Sequence, residues 1–151
     1  MLKGFNTDVF GFEKSLLPLL KNQHAKALIL GTGGASKAIE YVLKKLRIEY
    51  LLISRSRKPE AGSYKDLNKE LVSSHTIIIN ATPLGMFPNI NECPPIPYEY
   101  LTEEHVLYDL IYNPEETLFL KKGKEKGAQV KNGLEMLHLQ AEKAWDIWNG
   151  Y

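Results

Sequence analysis

The feature that most limits how this chain can fold is a short apolar run, Ala27-Leu28-Ile29-Leu30. It passes directly into Gly31-Thr32-Gly33-Gly34-Ala35-Ser36 and then into a stretch of helical periodicity. A brief apolar run bounded by glycine suits a buried strand. A strand that ends on glycines and resumes as a helix opens a βαβ unit, with free backbone N–H groups at the helix start attracting negative charge. Gly31 permits the tight turn and Gly33 lets the backbone approach a pyrophosphate, while Thr32, Gly34 and Ala35 complete the loop. Ser36 stands where a third glycine would finish the fingerprint, and a small residue can still pack there. Glycines that merely turn the chain are the alternative. The flanking strand and helix favour a bound dinucleotide.

Which dinucleotide depends on the next strand, expected over residues 49–54. In NAD-binding domains that strand ends on Asp or Glu, about 20 residues past the loop, to hydrogen-bond the ribose hydroxyl. Here the chain reads Ser54-Arg55-Ser56-Arg57-Lys58. Cationic groups suit a 2′-phosphate, and Arg55 can contact one through two parallel hydrogen bonds. The expected cofactor is therefore NADP (NADPH), held at this end by Ser54, Arg55, Ser56 and Arg57. A solvated basic turn is the alternative.

Further strands are expected at 26–31, 76–80, 106–112 and 128–131, alternating with helices. That order implies an α/β fold, a Rossmann-type doubly wound, mainly parallel sheet with helices on both faces. The 151 residues suit one domain, a connecting helix within 1–22 followed by a nucleotide-binding core over 26–151. The first helix is expected to start after Asn6 or Thr7 and to run towards Lys21, with Pro18 kinking or ending it near Leu17. The helix after the glycine loop places Ala35, Ile39, Val42, Leu43 and Leu46 on one inward stripe. Between residues 82 and 97 five prolines make a long connection, in which Met86 and Phe87 read as packing residues.

Nineteen basic against eighteen acidic residues leave a net charge of +1. No overall field draws nucleic acid or an anionic membrane, so neither is an expected partner. A lone Cys93 points to a reducing, cytoplasmic setting, and the four histidines lack metal-ligand spacing, so they read as packed or solvated. No apolar run approaches the ~20 residues needed to cross a bilayer.

Four more segments, read with the glycine loop, resemble shikimate dehydrogenase. They are Gly4-Phe5-Asn6-Thr7-Asp8 with Gly11; Asn80-Ala81-Thr82-Pro83-Leu84-Gly85-Met86; Asp109-Leu110-Ile111-Tyr112-Asn113-Pro114 with Thr117; and Asn132-Gly133-Leu134-Glu135-Met136-Leu137 with Gln140-Ala141. The likeness covers the full chain. It implies an NADP-dependent oxidoreductase of aromatic amino-acid biosynthesis that reduces 3-dehydroshikimate to shikimate.

The resemblance makes Asp8 the carboxylate half of a catalytic acid/base pair, although favouring a helix N-terminus would be a plainer role for it. It puts Asn6, Tyr112 and Gln140 at the substrate, with a buried, satisfied Tyr112 as the alternative. Ala81, Thr82 and Pro83 would lie by the adenosine and ribose, and Leu110, Gly133 and Met136 by the nicotinamide. Gly133, Met136 and Gln140 share one helix face, which leaves Leu134, Leu137, Ala141, Trp145 and Trp148 as the expected core stripe.

Family members also carry an N-terminal substrate domain whose catalytic lysine sits in an Asn-Val-Thr-x-Pro-x-Lys pattern. No such pattern occurs here. The expectation is a C-terminal NADP-binding domain, inactive without that partner domain. The rival readings are a quinate-oxidising relative that uses NAD, and a free-standing, non-catalytic nucleotide-binding module.

Overall fold

Residues 27–30 are all buried, as a central parallel strand covered on both faces requires. The computed structural model describes residues 2–22, 24–56 and 58–150, and within them the side chains from residue 7 onward. The elements are α1 (Leu2–Leu16), β1 (Lys26–Leu30), α2 (Gly34–Lys45), β2 (Glu49–Ser54), β3 (Gly62–Ser63), α3 (Lys69–Ser74), β4 (Ile77–Asn80), β5 (Val106–Asp109), α4 (Leu118–Glu125), β6 (Gln129–Lys131) and α5 (Leu134–Trp148). The six strands pair in the order β3-β2-β1-β4-β5-β6, every pair parallel. This is the Rossmann order, with the winding reversing between β1 and β4. The expected α/β doubly wound sheet is thus present.

Side chains along β1 alternate between two cores, as the two-residue period of a strand dictates. Ala27 and Ile29 join Phe12, Leu16, Ile39 and Val42 on one face. Leu28 and Leu30 join Val72, Ile78, Phe119 and Leu120 on the other.

Four local expectations need correction. The strand expected to reach residue 112 stops at Asp109, because the Ile111 N–H turns out of the ladder to the Asp109 carboxylate, 3.0 Å away. β3, only two residues long, carries no period and escapes sequence reading. α1 starts at Leu2, several residues before the expected start, and ends at Leu16, with Pro18 in the single 3-10 turn Leu17–Leu19 that follows. In α2, Ala35 faces solvent while Ser36 and Ala38 turn inward with Ile39, Val42 and Leu43.

The largest correction is at α5. Trp145 and Trp148 are 61% and 84% exposed, and Leu134 and Leu137 are also at the surface, so the expected core stripe faces outward. Met136 is the buried residue. The reason is the contact with α1: a Cβ at Gly11 would come within 2.6 Å of the Met136 carbonyl oxygen, so the two backbones meet there. Below that contact Ser15 Oγ donates to the Gly11 carbonyl at 2.8 Å and bonds the Tyr108 hydroxyl at 2.5 Å, while Phe12 meets the Tyr108 ring edge-on.

His24, His75 and His105 are packed and His138 is exposed. Among the described residues no helix is long and apolar enough to cross a membrane, and no group of three His, Cys, Asp or Glu side chains could hold a metal. Gly11→Ala is expected to push α1 off α5 and lower stability by ~1–3 kcal/mol, the range for overpacking a close contact. Urea unfolding of the two proteins reads this directly, and an unchanged midpoint would mean the helices separate freely.

Candidate functional site

The glycine loop lies at the carboxyl ends of β1 and β4, beside the reversal of winding. Gly31 has φ +108°, and a Cβ there would press on Thr82 Cγ2 and the Ala81 carbonyl at 3.1–3.2 Å. Only glycine meets both demands. Gly33 differs, since an added Cβ would meet nothing within 4 Å. Its own fold does not need glycine, so the open space beside it suits a ligand approaching the backbone. Ser36, at the third-glycine position, is buried, and both its N–H and its hydroxyl donate to the Gly33 carbonyl, at 3.1 and 2.6 Å.

At the end of β2 Ser54 is buried, while Arg55 and Ser56 beyond it are exposed. Lys58 Nζ reaches across to donate to Thr32 Oγ1 at 2.9 Å, linking the basic arm to the glycine loop. Arg57 lies outside the described residues. The loop, this arm and the end of β4 enclose a cavity of about 320 Å³ that Arg55, Lys58 and Tyr64 help to line. A second cavity of about 490 Å³ continues over Ala35, Leu110 and Tyr112. Ala81, Thr82 and Pro83 belong to both. One cleft therefore runs from the basic arm to the end of β5, with the β4 loop as its middle.

Of the candidate residues, Gly31, Thr32, Gly33, Ser54, Arg55 and Ser56 meet in the first cavity. Ala35, Leu110 and Tyr112 meet in the second. Tyr112 is 48% exposed, which disposes of the buried-aromatic alternative. Gly34 is exposed in the first turn of α2 and lines neither cavity.

Gly133 lies behind the cleft wall, where a Cβ would overlap the Leu110 carbonyl. Met136 is in the core, and Gln140 packs its Cγ against Gly11. Asp8 is half-buried in the middle of α1, so a helix N-terminus is not its setting, and burial raises its carboxyl above the ordinary range. The Asn6 side chain lies outside the described residues.

Sequence reading passed over several lining residues. Met86 and Phe87 are 48% and 63% exposed in the second cavity rather than packed, because the Phe87 N–H donates to the Asn113 carbonyl at 3.0 Å and holds their loop across the strand end. Tyr64 follows the unforeseen β3. Its hydroxyl is buried without a hydrogen-bond partner, and burial pushes it up to about 12 against the opposing pull of Arg55.

Beneath the cleft lies a fully buried carboxylate. Asp109 Oδ1 accepts from the Ile111 N–H at 3.0 Å and Asn80 Nδ2 at 3.2 Å, and Oδ2 accepts from Thr117 Oγ1 at 2.6 Å. Thr117 in turn caps α4 by accepting from the Leu120 N–H. Asn80 Oδ1 receives both the N–H and the hydroxyl of Thr82, at 3.0 and 2.6 Å. Burial raises Asp109 to about 6 despite these three donors.

A carboxyl raised in the folded state favours folding below its unfolded value of 3.8, and that contribution is lost as pH rises through about 6. The stability of the wild type relative to Asp109→Asn is thus expected to fall by ~2–3 kcal/mol between pH 3.5 and 7. Paired urea titrations check this, and a flat difference would remove the raised carboxyl.

No protein-family model matches the chain. The NADP(+) shikimate dehydrogenase of Carboxydothermus hydrogenoformans is 38% identical over 99% of this chain and 59% of its own length. Among solved structures, shikimate dehydrogenase from Aquifex aeolicus superposes with a TM-score of 0.82 at 34% identity, covering 96% of this chain and 56% of that one. The Thermus thermophilus enzyme, solved in complex with NADP(H) and shikimate, gives 0.80 at 29%, covering 96% and 57%. The chain spans a little over half the length of the relatives it matches. Along nearly all of its own length it is similar to shikimate dehydrogenases, as the motifs imply.

Proposed function

We propose that this chain is the NADP-binding domain of a shikimate dehydrogenase, the enzyme that reduces 3-dehydroshikimate to shikimate with NADPH. The observation that carries the reading is the continuous cleft: a glycine loop and a cationic arm at one end, an apolar wall with Tyr112 at the other, and Ala81, Thr82 and Pro83 joining them. The residues present fit a dinucleotide of this kind. Open space at Gly33 and the free N–H groups at the start of α2 suit a pyrophosphate. Arg55, with Ser54, Ser56, Arg57 and Lys58, supplies the charge and donors for a 2′-phosphate.

When bound, NADPH supplies the hydride that reduces the substrate ketone. The chain's own residues orient that event. Leu110 walls the nicotinamide end, while Gly133 and Met136 support it from behind by letting α5 sit close against Leu110. Tyr112, Asn6 and Gln140 contact the substrate. The Asp8 carboxylate orients the substrate domain's lysine and accepts a hydrogen bond from a substrate hydroxyl, which manages the proton as the alkoxide forms. Turnover needs that substrate domain as a partner, since half a cleft cannot hold the reactants in line. A single Cys93 and a near-neutral charge fit a cytoplasmic enzyme with a small-molecule substrate and no nucleic-acid partner.

Calorimetric titration is expected to give tighter binding of NADP than of NAD. Arg55→Ala should weaken NADP about tenfold to a hundredfold, the worth of a charge-assisted pair, and leave NAD unchanged. Equal or tighter NAD binding by the wild type would sink the cofactor assignment. Gly33→Val should weaken both nucleotides while thermal unfolding stays unchanged, because its side chain enters open space. A lowered unfolding temperature there would assign Gly33 a structural role instead.

A further inference from the structure

We propose that Asp109 is a positioning residue that sets both walls of the cofactor cleft at once, reaching Thr82 through Asn80 and reaching Tyr112 through the Ile111 backbone. The inference rests on the cofactor reading of the cleft above. Its geometry is a branched relay. One oxygen of Asp109 accepts from Asn80 and from Ile111, and Ile111 lines the second cavity beside Tyr112. Asn80 passes the constraint to Thr82, the middle of the cleft. The Thr82 hydroxyl then accepts from the Leu84 N–H at 3.2 Å, and Asn80 Nδ2 also reaches the Leu84 carbonyl at 3.4 Å, so the relay extends to Leu84 in the first cavity.

The direction of the relay follows from hydrogen-bond chemistry. An ionised carboxylate can only accept, so Asp109 compels Asn80 to turn its NH₂ inward and its carbonyl oxygen toward Thr82. The reverse amide orientation would face the Thr82 N–H with another donor. Ionisation also makes all three bonds to Asp109 charge-assisted, roughly twice as strong as neutral ones. Protonation weakens the pair on Oδ1 and forces the Thr117 hydroxyl to give up a bond. Tyr98, on the turn Tyr98–Tyr100, is a buried titratable group that feels the Asp109 charge, and burial raises it far enough to keep it neutral. A conserved shape with no charge is therefore the informative change.

Two measurements on Asp109→Asn test this. NADP affinity at pH 7.5 is expected to be about tenfold weaker than wild type, the equivalent of one charge-assisted bond, and the two proteins should converge at pH 5, where wild-type Asp109 is protonated. The ratio between them cancels the titration of the cofactor's own 2′-phosphate. Amide exchange measured without ligand should speed up at both Ile111 and Thr82.

A folded Asp109→Asn that binds like wild type at pH 7.5, or a ratio flat with pH, would overturn the proposal. Unchanged exchange at Thr82 would overturn the relay even if neither nucleotide bound, whereas faster exchange with no NADP binding by the wild type would strike the cofactor reading alone. If Asp109→Asn does not fold, Thr117→Val serves in its place: it removes one donor to Asp109, so the pH at which affinity falls should move upward, and an unmoved midpoint would count against the proposal.

Discussion

The cleft exists because β1 is paired on both sides by parallel strands whose connections leave in opposite directions. Leu30 lies between Ile53 and Asn80, so three strand ends open side by side. The α2 helix after β1 and the connection after β4, with its turn Tyr98–Tyr100, cover opposite faces of the sheet, and the ends they vacate cannot be closed by main chain. That vacancy is topological rather than chemical. It places the Gly31 loop, the Arg55 arm and the Thr82 loop against one another before any of them meets a ligand.

Two kinds of glycine serve this arrangement. Gly31, Gly11 and Gly133 are small because another part of the protein occupies the space a side chain would take: the β4 loop, α5 and the Leu110 carbonyl respectively. Gly33 has no such neighbour. The distinction separates glycines that hold the scaffold together from Gly33 and its neighbour Gly34, beside which an added Cβ would meet nothing within 4 Å. It also explains how α5 can bury Met136 while exposing two tryptophans, since close backbone contact at Gly11 and Gly133 decides which side of the helix meets the protein.

Charge is arranged with the same economy. Arg55 and Lys58 stand exposed on the arm after β2, where a polyanion can be met in water, while the carboxylate of Asp109 is sunk beneath the loops with three donors around it. An exposed cation attracts and selects, and a buried anion fixes the groups that must hydrogen-bond to it. The first kind of charge is easily read along a chain. The second becomes visible only when Asn80, distant in sequence, arrives beside it.

The sequence by itself determined the parts that depend on neighbours in the chain. A strand, glycine loop and helix in succession require a βαβ unit, the run from Ser54 to Lys58 is cationic wherever it lies, and the five separated motifs carry the family likeness. Tertiary structure decided what depends on residues far apart. Helical periodicity marked two stripes on α5, and only contact with Gly11 chose between them. Met86 and Phe87 looked like core by composition, yet a bond from Phe87 to Asn113 turned them into the cleft. β3 is too short for any period to declare it, so Tyr64 could not be placed. Gly133 and Met136 read as site residues from their motifs, while Gly133 packs against the Leu110 carbonyl and Met136 lies in the core beneath the cleft wall. Local spacing fixes local conformation, but burial and hydrogen-bond partners are set by pairings the chain makes only once it has folded.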